Sequence, residues 1–314
     1  MKRFDKFRPA KIFFALIVLL FPWKIGIGQK SVYLQHVKPP EVFYLYRNFP
    51  SKYIPPRHIE IWIPPGGEKS ALPVLYMFDG QNMFHGVRSF GNAYINGWQV
   101  NDVLDSLITA GTATSAIIVA IYNKSEERFA EYMPQKPYDL VEKRIAETTD
   151  PWYSGFKDSP PRSDAQLKFI VEELKPFIDK NFHTLKSRKN TWIAGSSMGG
   201  LMAAYAICEY PDIFGAAACL STHWPALGGV FIEYLKNNLP DPHSHKIYFD
   251  YGTEGLDAEY EPYQKKVDDE MQKAGYETNK NWITVKSEGA KHHDDDWHDR
   301  LHIPLEFLLS HKNK

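Results

Sequence analysis

The 314-residue sequence contains only two cysteines, Cys208 and Cys219, too few for a disulfide-built scaffold. Both fall where a buried helix and the strand after it are expected, so a structural disulfide and a pair of buried thiols are both open, the thiols being the simpler reading. There is no run of Lys or Arg, and the 37 basic and 38 acidic residues nearly cancel, which gives nucleic acid no electrostatic footing. No stable membrane anchor is expected, because a spanning helix needs about 20 apolar residues and the run Ile12 to Phe21 is about half that. Internal repeats, low-complexity tracts and polar linkers are absent after residue 30, so residues 29–314 read as one domain. No helical H-E-x-x-H or second His/Asp cluster is present, and the reading calls for no metal and no cofactor.

The first 28 residues differ from the rest. Lys2, Arg3, Lys6, Arg8 and Lys11 precede the apolar run, and Gly26-Ile27-Gly28 supplies small residues at a cleavage position. That order is a secretory signal peptide, which predicts export to the periplasm or the extracellular space. Without residues 1–28 the formal charge changes from -1 to about -6, a mildly acidic surface.

Short apolar runs alternate with helical periodicity along the remainder. Arg57 to Ile63 alternates like a half-buried antiparallel edge strand, and Leu72 to Phe78 is a continuous apolar run that stops at Asp79-Gly80. Ala116 to Tyr122, Thr191 to Ala194, Gly215 to Leu220, Lys246 to Tyr251 and Trp282 to Val285 read as further strands. Helices are predicted near 101–108, 164–178, 201–210, 230–236, 263–273 and 295–309, with Ser163 or Asp164 capping the second and Pro176 interrupting it. Such alternation predicts an α/β fold with a mostly parallel central sheet covered on both faces, whose sites form at the carboxyl ends of strands. Residues 123–162, rich in proline and aromatics, are far longer than an ordinary connection and read as a lid-like insertion.

Gly195-Ser196-Ser197-Met198-Gly199 fits G-x-S-x-G, a weak pattern alone. Its position gives it weight: it follows the apolar strand Thr191 to Ala194 and precedes the small-residue stretch from Leu201, the strand-turn-helix context of a nucleophile elbow. A serine hydroxyl needs a base and a group to orient that base. With the partners expected in the order Ser, acid, His, the loop after the last strand offers His292, with His293 in reserve. The loop after Lys246 to Tyr251 offers Asp257, with Glu254 the other acid in reach. Amides for a developing oxyanion are expected from Met198 and from Gly80 or Gln81. Trp98, Arg128, His223 and Trp297 are candidate substrate-pocket residues, and Asp294 to Asp296 read as dipole compensation at a helix start rather than metal ligands.

Taken together, LPVLYMFDGQNMF, NGWQVND, TWIAGSSMGGLMA, IYFDYGTEGLDAEY and GAKHHDDDWHDRL resemble the esterase D-like family of α/β-hydrolases, which includes feruloyl esterases, siderophore esterases and mycolyl transferases. The resemblance covers nearly all of residues 29–314 and implies acyl-ester chemistry, with the roles of serine, acid and histidine carried onto Ser197, Asp257 and His292. It departs at Gly255, where many relatives carry an acidic residue. The expected activity is a serine carboxylic-ester hydrolase acting on a small-molecule ester of a carbohydrate, phenolic acid or siderophore. An acyltransferase with the same triad, or a non-catalytic ligand-binding protein on this fold, is the alternative.

Overall fold

The computed structural model describes residues 29–35, 41–84, 87–88, 94–95, 97–140 and 160–310. Residues 1–28, on which the signal-peptide reading falls, lie outside them, as do residues 141–159 of the insertion.

Nine strands form one sheet. In chain order they are β1 (Gln29–Gln35), β2 (Glu41–Phe49), β3 (Arg57–Ile63), β4 (Val74–Phe78), β5 (Ile117–Ile121), β6 (Thr191–Ser196), β7 (Ala216–Leu220), β8 (Lys246–Gly252) and β9 (Trp282–Ser287). Across the sheet the order is β1-β2-β3-β5-β4-β6-β7-β8-β9. The first three strands pair antiparallel with one another and with β5, whereas β5, β4 and β6 to β9 are all parallel. Arg57 to Ile63 is therefore not an edge strand, because β1 and β2 add a hairpin outside it.

The apolar runs are continuous because the central strands are covered on both sides. Val74, Tyr76 and Phe78 join one core with Ile193, Leu167 and Leu201, while Leu75 and Met77 of the same strand join another with Val100, Leu104, Leu301 and Leu305. The helices divide accordingly. One face carries α4 (Ser163–Lys168), α5 (Lys175–Asn181), α6 (Met198–Glu209), α7 (Val230–Asn238) and α8 (Glu261–Lys273); the other carries α1 (Val100–Ala110), α9 (Asp294–Arg300) and α10 (His302–Leu309). A π-helical stretch, Phe169–Leu174, joins α4 to α5 without a break, and Pro176, which has no N–H to donate, falls where α-helical pairing resumes. Cys208 and Cys219 are free and buried.

The described part of the long insertion meets the carboxyl end of β4 through α2 (Arg128–Tyr132), whose Tyr132 hydroxyl accepts from Asp79 N, and packs on α6 and α7 through α3 (Gln135–Asp139). Arg57 of β3 and Glu131 of α2, both buried, meet as a bidentate ion pair at 3.0 and 2.8 Å. Because an unpaired charge there would be costly, the pair fixes where the insertion leaves the sheet.

The chain passes from β4 to β5 on one side and returns to β6 on the other. The carboxyl ends of β4 and β6 thus flank a topological switch point, where α/β sheets hold their ligands. By contrast, a cavity of about 910 Å³ lined by Trp192, Ala216 and Lys246 opens at the amino ends of the strands, on the wrong side for such a site.

Candidate active site

Ser197 stands between the end of β6 and the start of α6 with φ 57° and ψ -121°, a conformation an L residue adopts only when its surroundings enforce it. The enforcement is visible. The Ser197 amide donates to Leu220 O at 2.9 Å, and its own carbonyl accepts from Leu201 at 3.0 Å and His223 at 3.2 Å. A Cβ on Gly195 would lie 2.6 Å from the Gly199 backbone, so the bend closes only on glycine. Helix α6 follows at once, buried along almost its whole length by Gly, Ala and other apolar residues.

Three segments from different strand ends meet at this bend. His292, in the loop between β9 and α9, places Nε2 2.8 Å from Ser197 Oγ. Its Nδ1 lies 2.5 Å from Asp257 Oδ1. Since a carboxylate only accepts, Nδ1 carries the proton and Nε2 presents its lone pair to the serine hydroxyl. Asp257 sits fully buried in the 3-10 turn Gly255–Glu259 beyond β8, and its other oxygen accepts from Ser221 Oγ at 2.5 Å and Gly252 N at 2.7 Å. Burial on its own would raise the Asp257 pKa, but the hydrogen bonds from His292, Ser221 and Gly252 outweigh it and hold the carboxyl below its ordinary value. Glu254 is exposed, and exposed His293 caps α9 by accepting from Asp295 N, so neither reserve candidate meets Ser197.

Sequence reasoning missed the supports beneath this line. Ser221, the residue after β7, has φ 37°, is fully buried and receives hydrogen bonds from Trp297 Nε1 at 2.9 Å and Arg300 Nη2 at 2.8 Å. With both acceptor positions filled, its hydroxyl proton is directed to Asp257. Arg300 is itself held by Asp250 on β8 at 3.1 and 3.2 Å. The available signal was position: Ser221 ends the strand beside the elbow, on the carboxyl edge where sites form.

The four pocket candidates divide. His223 is buried beside the triad, with Nδ1 2.7 Å from the Tyr260 hydroxyl, and burial together with neighbouring His292 and Arg128 pushes its pKa down to about 4. Trp297 packs edge-on against His292, ring centroids 5.0 Å apart. The other two are held by partners within the protein. Trp98 is 1% exposed, its ring tilted by 49° against that of Trp297 and its Nε1 bonded to Asp294 at 2.8 Å, so it braces the site from within the core. The Arg128 charge is matched by Asp79 through two 2.7 Å bonds, and this partner raises the guanidinium pKa against the effect of burial. Arg128 thus anchors the turn after β4 and does not supply an uncompensated cation.

That turn carries the remaining candidates. Asp79, at φ 56°, donates its amide to the Tyr132 hydroxyl at 3.2 Å and leads into the 3-10 turn Gly80–Asn82. Gly80 presses against β5, where a Cβ would lie 2.6 Å from Ala120 C. Asp79 Oδ2 is close enough to α6 that a Cβ on Gly199 would stand 3.2 Å from it. The turn bearing Gly80 and Gln81 and the start of α6 bearing Met198 both begin helical turns, whose first amides have no partner within the turn. Among the described residues no group of three His, Cys, Asp or Glu side chains could hold a metal ion, and the three aspartates have other partners: Trp98 and Asn82 for Asp294, His293 for Asp295, and Lys291 N for Asp296.

This geometry can move a proton from Ser197 to His292 and on no further, because Asp257 is held as the charged acceptor. The family described as Putative esterase matches residues 54–302, which include every residue of the arrangement. The chain belongs to this esterase family. Among curated relatives, it is 21% identical over 269 residues to the uncharacterized protein YbbA of Bacillus subtilis, covering 82% of this chain and 94% of that one. It is 34% identical over 82 residues to an endo-1,4-beta-xylanase/feruloyl esterase of Xylanibacter ruminicola, covering 26% of this chain and 10% of that protein. Of solved structures, an IroE-like serine hydrolase from Shewanella oneidensis superposes with a TM-score of 0.61 at 18% identity, over 90% of this chain and 80% of that one. A ferulic acid esterase (TM-score 0.54, 18% identity, 90% and 98% covered) and the enterobactin esterase of Shigella flexneri (0.54, 19%, 91% and 61%) share the fold. In this member of the family, then, an α/β architecture carries Ser197, His292 and Asp257 in a single hydrogen-bonded line.

Proposed function

We propose that this esterase is a serine carboxylic-ester hydrolase that works through an acyl-enzyme on an ester of a carbohydrate, phenolic acid or siderophore. The observation that carries the reading is the unbroken line from Ser197 Oγ through both nitrogens of His292 to Asp257, mounted on a strained bend at the sheet's carboxyl edge. Ser197 Oγ attacks the ester carbonyl while His292 Nε2 takes its proton, and Asp257 stabilises the imidazolium formed. The carbonyl oxygen, now negative, is held by the Met198 amide and that of Gly80 or Gln81. His292 then returns the proton to the departing alcohol, and water, activated by the same imidazole, releases the acid and restores Ser197.

The phenolic-acid and siderophore classes are supported by the relatives, whose names include feruloyl, ferulic acid and enterobactin esterases. Residues 1–28, with their basic-then-apolar order, support export to the periplasm or beyond. A panel of p-nitrophenyl, feruloyl and catechol-siderophore esters tests the activity. Ser197→Ala should lower kcat on the best of them by about 10⁴-fold or more and abolish labelling by a fluorophosphonate. Turnover undiminished in that variant would refute the reading.

A further inference from the structure

The turn that bears Gly80 and Gln81 and the loop that bears His292 come from parts of the chain more than 200 residues apart, yet one side chain ties them together. Asp294, two residues after His292 and first in α9, accepts with Oδ1 from Asn82 Nδ2 at 3.2 Å and from Trp98 Nε1 at 2.8 Å. Two backbone links close the frame: Trp98 N donates to Asn82 O at 2.7 Å, and His298 Nδ1, one turn further along α9, lies 2.7 Å from Trp98 O. Trp297, between them in sequence, packs on both Trp98 and His292. Asp294 therefore differs from Asp295, which is exposed and reaches only its neighbour His293. Burial raises the Asp294 pKa, and the bonds from Trp98 and Asn82 offset part of that rise.

We propose that Asp294 is a positioning residue that sets the distance between the oxyanion-binding turn after β4 and the general base His292. This rests on the ester-hydrolase reading, because it matters only if both segments act on one carbonyl. The transition state needs the imidazole at the serine and the amides at the opposite oxygen at once, and a misplacement of about 1 Å costs on the order of 10²-fold. Ground-state binding has no such requirement. Loss of the clamp should thus appear in kcat and spare KM.

The test uses the full chain with p-nitrophenyl acetate. Asp294→Ala should lower kcat by about 10- to 100-fold with KM within about threefold of the parent, whereas Asp294→Asn, which keeps an oxygen acceptor at Oδ1, should stay within about fivefold. Trp98→Phe and Asn82→Ala each remove one donor and should give intermediate losses, so the proposal is tested even if Asp294→Ala fails to fold. Parental kcat in Asp294→Ala, or parental kcat in both Trp98→Phe and Asn82→Ala, overturns it. Equal losses in Asp294→Ala and Asp294→Asn overturn the acceptor role as well. An active Ser197→Ala would instead sink the hydrolase reading itself, so the two failures are distinguishable.

Discussion

Gly252→Ala should disable the proposed hydrolase while leaving it folded, and the size of the effect follows from the structure. Gly252 ends β8, and its amide donates to Asp257 Oδ2. An added Cβ would stand 2.2 Å from Ala290 O and 3.1 Å from Asp257 Oδ2. Carbon and carbonyl oxygen do not settle closer than about 3.3 Å, so the loop through Ala290 must retreat by about 1 Å. His292 lies two residues on and goes with it, stretching the 2.8 Å bond to Ser197 beyond the range of a hydrogen bond. A shift of that size costs about 10²-fold in rate, or about 2.7 kcal/mol of transition-state stabilisation. The amides of Thr253 and Glu254 both donate to Ala290 O at 3.0 Å, and weakening them costs about 1 to 2 kcal/mol of stability, a few degrees in Tm. The assay is kcat and KM for p-nitrophenyl acetate alongside thermal melting by circular dichroism. Gly111→Ala is the control: at φ 73°, past the end of α1 and with open space around its Cβ, it should cost about 1 kcal/mol of stability and leave kcat intact. Parental kcat in Gly252→Ala would refute the argument, as would an equal kcat loss in Gly111→Ala.

Two further predictions concern stability. His223 is buried with its pKa pushed down to about 4, so below the ordinary value near 6.5 the unfolded chain binds the proton more readily. Its contribution is fully present above about pH 6.5 and falls by about 2 to 3 kcal/mol between pH 7 and 4.5; urea unfolding of His223→Gln should lose that part of the pH dependence, and an unchanged slope would count against it. Glu131→Ala leaves Arg57 buried without its carboxylate, and urea unfolding should show a loss of about 3 to 5 kcal/mol; a loss under about 1 kcal/mol would mean that the pair does not anchor the insertion.

The parallel strands were legible because strands covered on both faces read as unbroken apolar runs, and Val74–Phe78, Ile117–Ile121 and Thr191–Ser196 are fully buried. The hairpin of β1 and β2 was not. Glu41–Phe49 carries large apolar residues at both alternate positions, Val42, Tyr44 and Tyr46 against Phe43 and Leu45, so it lacks a clean period of two. Missing it turned Arg57 to Ile63 into an apparent edge. The closing helix, expected as one piece from Asp295 to Leu309, divides at Leu301, because Pro304 has no N–H to continue the ladder from α9. Within the site, the bend at Ser197 and the loops that bring His292 and Asp257 to it were legible from chain order and strand ends. Ser221, Asp250 and Arg300 were not, since their roles exist only once three distant segments are in contact.

The placement of Arg300 decides how much of the Asp257 charge reaches the imidazole. Had the guanidinium hydrogen-bonded directly to Asp257, it would have drawn off more of the negative charge that the imidazolium needs as it forms. Instead Asp250 takes it, at 3.1 and 3.2 Å, while its distance to Asp257 Oδ2 is 4.0 Å. Ser221 fills the gap, accepting from Arg300 and donating to Asp257, so the cation is coupled to the triad through a neutral hydroxyl. With its hydrogen bonds committed to Asp250, Arg300 offsets only part of the Asp257 charge beside His292. In a water-poor interior such a charge acts at far less than bulk dielectric, so it favours the protonated imidazole at the moment Ser197 surrenders its proton. The chemistry proposed for Ser197 thus draws on a buried ion pair outside the triad, because Asp250 takes the direct hydrogen bonds of Arg300 and keeps most of its charge from Asp257.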